Sequence, residues 1–146
     1  RLKQDELAAL LPEEERVPLD ARGDWRLLLE QPWMGDPELN PALRPALMRL
    51  GAVYLFAEKR DDKPVDPVAR FHLGNGARIE RINWLGDTSA KGMKESAGLM
   101  VNYLYRLDEI EANHEAFASG GPIAASSQVK KLVAGSLAVR ARGAAA

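Results

Sequence analysis

The tripeptide Gly74-Asn75-Gly76 constrains the fold of this chain more than any other feature. Asn-Gly tolerates positive φ at both positions, and between two runs of strand-forming residues it is a strong hairpin signal. Such runs flank it, Val68-Ala-Arg-Phe-His-Leu before and Ala77-Arg-Ile-Glu-Arg-Ile-Asn-Trp after. The pattern predicts strands near 68–73 and 77–84. Side chains alternate faces along a strand. Arg70 and His72 are therefore expected on one face, and Ala69, Phe71 and Leu73 on the other.

Helical signals surround this centre. Residues 1–30 read as two short helical pieces. Leu2, Leu7, Leu10 and Leu11 form one apolar stripe, and Trp25, Leu27, Leu28 and Leu29 form a second cluster, with Pro12 and three glutamates between them. A breaker-rich stretch, Gln31 to Pro37, follows. Asn40-Pro41 is a helix start, a capping side chain followed by Pro at the first helical position. Leu43, Leu47, Leu50 and Tyr54 then recur at one-face spacing, which predicts a helix to about Lys59. The polar segment after it, including Asp61-Asp62, reads as a surface loop.

Beyond the centre, Asp87, Thr88 or Ser89 caps a short helix that Gly98 closes. Leu99 to Tyr105 reads as a buried strand, with Val101, Tyr103 and Tyr105 on one face and Asn102 and Leu104 on the other. Asp108 to Phe117 is a polar helix. Ser126 or Ser127 caps a last helix carrying Val129, Leu132, Val133 and Leu137, and the tail from Arg140 is expected to fray. The fold class is α/β of the α+β kind, a mixed sheet flanked by helices.

Length and composition bound the function. At 146 residues the chain makes one domain or the greater part of one. The formal net charge of −1 gives no bulk attraction to nucleic acid, so no nucleic-acid partner is expected. Lys130, Lys131, Arg140 and Arg142 make the segment from Ile123 onward locally basic, as a solvated helix face. No apolar run reaches the length of a membrane span, so no membrane partner is expected either. With no cysteine, thiolate chemistry and Cys-based zinc sites are excluded, and the two histidines leave little scope for a multi-His metal site. The chain does not start with Met, which fits a start inside a longer gene product or after processing.

His72 leads the residues that could carry chemistry. An imidazole near its unperturbed pKa suits proton transfer at neutral pH, although residue type alone favours a structural histidine. Tyr103 and Tyr105 can orient a histidine or hold a carboxylate, with core packing as the plainer role. Asn75 and Asn102 can donate to a carbonyl or carboxylate; turn chemistry accounts for Asn75 equally well. Ser89, Ser96, Ser126 and Ser127 read as helix caps, and no nucleophile elbow surrounds them. His114, between glutamates at 111 and 115, reads as solvated.

The order of residues carries more than their types. Asp66-Pro-Val-Ala-Arg-Phe-His-Leu-Gly-Asn-Gly-Ala, then Arg81-Ile-Asn-Trp-Leu-Gly-Asp-Thr-Ser, then Ser96-Ala-Gly-Leu-Met-Val-Asn-Tyr-Leu-Tyr and the closing Ala125-Ser-Ser-Gln-Val-Lys-Lys-Leu resemble the malonyl-CoA decarboxylase family. The resemblance implies that residues 1–146 are the C-terminal portion of a GNAT-like catalytic domain. It implies decarboxylation of malonyl-CoA to acetyl-CoA and CO2, with no cofactor. It implies His72 as proton donor and Tyr105 as a supporting catalytic residue; His72 and Asn75 are the residues expected against the substrate. An upstream helical domain used in homo-oligomerisation and an upstream partner serine are implied as well. No serine precedes Ser89, so that serine is expected in the remainder of the polypeptide or in an upstream fragment. Cytoplasm is the expected compartment. A non-catalytic acyl-CoA-binding or assembly module of the same fold is the alternative. An acyltransferase is a third reading, which lacks an identifiable acceptor site.

Overall fold

The computed structural model describes the backbone of residues 3–145 and the side chains of residues 3–136. Leu2, Leu137, Arg140 and Arg142, which entered the expectations above, lie outside the described side chains. The chain divides into two compact units, one of residues 1–50 and 134–146 and the other of residues 51–133. The boundaries fall inside two long helices, α4 (Leu39–Ala57) and α8 (Ser127–Ala145).

In the first unit the expected two helical pieces are three, α1 (Gln4–Ala8), α2 (Glu13–Asp20) and α3 (Trp25–Glu30). Asp24 caps α3 by accepting from the Arg26 N–H. Leu10, Leu11, Leu19, Trp25, Leu28, Trp33 and Leu43 are buried in this unit. Glu15 is buried with them, and its carboxylate accepts from Arg49 Nε at 2.8 Å and Arg49 Nη2 at 2.7 Å. The start of α4 is set by Asp36 rather than by Asn40. One Asp36 oxygen accepts from the N–H groups of Glu38 and Leu39, while the Asn40 amide donates to the Met34 carbonyl.

The second unit differs from the sequence reading at its centre. Residues 68–73 are not a strand. They belong to α5 (Pro67–Gly74), so Arg70 and His72 do not share a strand face. The signals that win are Asp66-Pro67 at the start and Asn75-Gly76 at the end. Asp66 accepts from the Ala69 N–H at 2.9 Å, and Pro67 occupies the first turn, where its missing N–H costs nothing. At the other end Gly76 N–H donates to Leu73 O, Ala77 N–H donates to His72 O, and Gly76 has φ +91°. That is a Schellman C-cap. Asn-Gly here stops a helix instead of turning a hairpin. Ala69 and Leu73, four apart, face the core, while Phe71 is 64% exposed.

The remaining elements follow the expected order, except that the segment read as a surface loop holds two short strands. β1 (Lys59–Arg60) and β2 (Lys63–Pro64) form a tiny hairpin across Asp61 and Asp62, both at positive φ. β3 (Arg78–Asn83) pairs antiparallel with β4 (Met100–Leu104), and α6 (Ala90–Ser96) lies between them in sequence. Ser89 caps α6, and Ala97 (φ 51°) with Gly98 (φ +77°) ends it. β4 is half-buried rather than buried, because Met100 and Asn102 face outward. A bulge between Ile79 and Arg81 interrupts the ladder, so Ile79 and Ile82 are both buried although they stand three positions apart. The other edge of β3 meets the segment before α8, with Ile79 N–H donating to Ala124 O and Ser126 N–H to Ile79 O. α7 (Ile110–Ala118) packs on α5. Ser126 is the cap of α8, as expected, and α8 continues through Ala145, so the tail read as fraying has helical backbone. The α+β class is as the sequence predicted.

Candidate functional site

The site is built where the end of α5 meets the end of β4. The Schellman cap fixes the last turn of α5, and His72 supplies one of the carbonyls in that cap. Its half-buried ring is thereby attached to a rigid backbone. Alternation along β4 puts Tyr103 and the following Tyr105 on the same face, as the sequence predicted. Both reach the imidazole. His72 Nδ1 and the Tyr105 hydroxyl share a hydrogen bond of 2.6 Å. The Tyr103 ring stacks on the imidazole with centroids 4.5 Å apart and planes 21° apart. Phe71 meets the imidazole edge-on at 5.2 Å.

Burial pushes the Tyr103 phenol up to about 12, and the charges of Asp66 and Tyr105 add to the effect. Tyr54 is raised for the same first reason, with Asp66 and Glu58 contributing. Asp66 thus caps α5 and adds its charge to the burial that raises both phenols.

Two side chains of α7 grip the end of α5 from outside. Asn113 Nδ2 donates to Gly76 O at 3.1 Å, and His114 Nδ1 contacts Gly74 O at 2.6 Å, which places a proton on that nitrogen. His114 was expected to be merely solvated; it binds the backbone two residues after His72. A Cβ at Gly76 would lie 2.5 Å from Ile110 O, so α7 can cross here only over a glycine. Sequence reasoning missed this grip. The one available signal was a pair of polar residues in a helix following a glycine-rich turn, and any solvated helix face shows the same.

The other candidates fall elsewhere. Asn75 is the C-cap of α5 and exposed, and its N–H donates to the carbonyls of Phe71 and His72. Asn102 points to the opposite face of β4 and accepts from the Asn83 amide at 3.0 Å. Ser126 Oγ donates to Glu80 O at 2.8 Å. Ser96 Oγ lies 3.1 Å from Gly92 O and 3.0 Å from Leu99 O. Among the described residues no three His, Asp or Glu side chains cluster as metal ligands, and no helix is long and apolar enough to cross a membrane.

A half-buried tyrosine against the face of an imidazole and a second tyrosine hydroxyl against its edge hold the ring in place. Comparison with known proteins gives it a context. Residues 1–143 match the family described as malonyl-CoA decarboxylase C-terminal domain. Mitochondrial malonyl-CoA decarboxylase of Anser anser anser is 45% identical over 108 residues, 74% of this chain and 21% of that protein. Its counterpart in Mus musculus is 47% identical over 102 residues, 70% of this chain and 21% of that protein. The crystal structure of malonyl-CoA decarboxylase from Rhodopseudomonas palustris superposes with a TM-score of 0.72 at 50% identity, covering 84% of this chain and 27% of that one. The Cupriavidus metallidurans structure gives 0.73 at 34% identity, covering 89% and 33%. The chain thus spans about a fifth of the length of the curated relatives it matches. On the match over residues 1–143, the chain belongs to the malonyl-CoA decarboxylase family, in its C-terminal domain.

Proposed function

We propose that this chain is the C-terminal portion of a catalytic domain that converts malonyl-CoA to acetyl-CoA and CO2, with His72 as the proton donor. The GNAT-related fold of the whole domain, a partner serine outside this chain, and homo-oligomerisation are parts of the same proposal. The observation that carries it is the His72–Tyr105 hydrogen bond of 2.6 Å, inside a chain of this family.

The chemistry is self-consistent. Cleavage of the bond between the carboxylate and C2 of a malonyl thioester releases CO2 and leaves the electron pair on C2, delocalised into the thioester carbonyl. A proton delivered to C2 gives the acetyl thioester. The imidazole gives up that proton and regains one from solvent. Hydrogen-bond donors aimed at the thioester oxygen lower the barrier to the enolate, and a positioned general acid contributes about 10²–10⁴-fold. With the Tyr105 hydroxyl donating to Nδ1, the proton of neutral His72 sits on Nε2, at the opposite edge of the ring. In this reading Tyr105 fixes the tautomer, and Asn75, one turn further on, offers an amide to the substrate carbonyl or carboxylate.

The test is CO2 release from malonyl-CoA by the complete polypeptide carrying His72→Ala or Tyr105→Phe. His72→Ala is expected to lower kcat by about 10²–10⁴-fold, and Tyr105→Phe by about 5- to 20-fold, the worth of one orienting hydrogen bond. Full turnover by His72→Ala would end the assignment. Binding of malonyl-CoA without CO2 release by the unmodified polypeptide would favour the non-catalytic acyl-CoA module instead. Cytoplasm belongs to this proposal too. The names of the goose and mouse proteins bring mitochondria as the alternative, and fractionation separates the two.

A further inference from the structure

We infer that Tyr103 is a positioning residue for the decarboxylation and that it acts through the face of its ring rather than through its hydroxyl. The inference rests on the reading of His72 as proton donor and adds the residue that sets the plane of its imidazole.

A side chain attached only by its backbone keeps two torsions free, and a proton donor needs both fixed. The hydrogen bond from Tyr105 holds one ring nitrogen at 2.6 Å, yet it leaves the imidazole free to swing about the line joining Nδ1 to that oxygen. A flat partner lying on the ring removes that motion. Tyr103 is such a partner, with centroids 4.5 Å apart and planes within 21°. Tyr105 cannot serve as one, because its ring stands at 67° to the imidazole with centroids 5.8 Å apart. The two tyrosines divide the work, Tyr105 at the edge and Tyr103 on the face.

The support behind Tyr103 is rigid. Tyr103 pairs in register with Ile79, which is fully buried, and Ile79 is itself tied on its other edge to Ala124 and Ser126. The Tyr103 ring is thus a fixed plane against which α5 presents His72. The hydroxyl that reaches the imidazole is that of Tyr105, so removing the Tyr103 hydroxyl leaves the stack in place.

Three variants of the complete polypeptide test this: Tyr103→Phe, which keeps the ring, Tyr103→Leu, which keeps only apolar bulk, and His72→Ala. The readouts are kcat and KM for CO2 release from malonyl-CoA, and the NMR shifts of the imidazole protons, assigned as the signals that vanish in His72→Ala. A proton held over an aromatic face is shifted upfield, so this shift reports the stack, and the split between kcat and KM reports whether the stack positions the proton donor. The expected result is an upfield imidazole signal in the unmodified protein, kept in Tyr103→Phe with kcat within about 2-fold, because a stacked pair is worth its ring contact. Tyr103→Leu is expected to lose the shift and to lower kcat by about 10- to 100-fold, the effect of a small misplacement of a catalytic group, with KM within about 2-fold. Full kcat in Tyr103→Leu, or equal losses in Phe and Leu, overturns the inference. If Tyr103→Leu does not fold, the unmodified protein still decides, since an imidazole without the upfield shift has no ring on its face. Retained turnover in His72→Ala sinks the functional reading instead, which keeps the two failures apart.

Discussion

Replacing Gly76 with Ala tests the architecture that carries His72. Two costs add at this position. Gly76 has φ +91°, and an L-residue held at positive φ pays about 1–2 kcal/mol. The new Cβ would also lie 2.5 Å from Ile110 O and 2.7 Å from Ile110 Cγ2. The oxygen belongs to backbone and cannot rotate away, so α7 or the cap must shift, at about 1–3 kcal/mol for an overpacked site. The sum is about 2–5 kcal/mol, and at a urea slope of about 2 kcal/mol per molar the midpoint falls by about 1–2.5 M. Gly23→Ala is the control. Gly23 has φ +96°, but its Cβ would meet nothing within 4 Å, so only the conformational cost of about 1–2 kcal/mol applies. Urea denaturation of both variants against the parent, with slopes compared to guard against a changed unfolded state, isolates the steric part. Equal midpoints for the two variants would refute the close crossing of α7 over the end of α5, and with it the grip of Asn113 and His114.

Ser126→Ala is expected to destabilise by about 1–3 kcal/mol in the same assay, because one hydroxyl both caps α8 and binds the Glu80 carbonyl at the bulge; a change below a few tenths would mean that the bulge is held by other groups. Tyr103 sets an alkaline limit on stability. Its phenol ionises near 12 in the folded chain against 10.0 in the unfolded one. The folded state keeps its proton through a window where the unfolded state has lost it. The stabilisation is therefore complete below pH 10 and is lost as pH rises towards 12. Urea midpoints should fall across that window in the parent and fall less in Tyr103→Phe; parallel profiles would contradict the burial of this phenol.

Legibility in the sequence followed the range of the interactions. Strand β3, helices α6, α7 and α8, and the shared face of Tyr103 and Tyr105 were readable, because caps and alternation are written in neighbouring residues. Residues 68–73 were misread because Ala69, Phe71 and Leu73 satisfy a period of two, while Ala69 and Leu73 alone satisfy a helical face. Asp66-Pro67 was the deciding start signal, yet Asn75-Gly76 serves hairpins and helix caps equally well. The bulge at Glu80 could not be anticipated, since its carbonyl is bound by Ser126, 46 residues further on. His72 could be singled out by the residues around it. Its plane, its hydrogen-bonded nitrogen and the carbonyl grip of α7 depend on contacts 31 to 40 residues away.

Those separations set a timetable for a chain made from its N-terminus. Every group that caps and closes α5 has been made once Ala77 has been added, although a helix of eight residues holds only when later elements pack on it. At that moment neither tyrosine that meets the imidazole of His72 has been synthesised. Tyr105 follows His72 by 33 residues, and the strand beneath Tyr103 is locked along its far edge only when Ala124 and Ser126 arrive. A nascent chain arrested between Gly98 and Ala124 would carry the histidine and lack its setting, so this imidazole is among the first parts of its unit to be made and the last to be held.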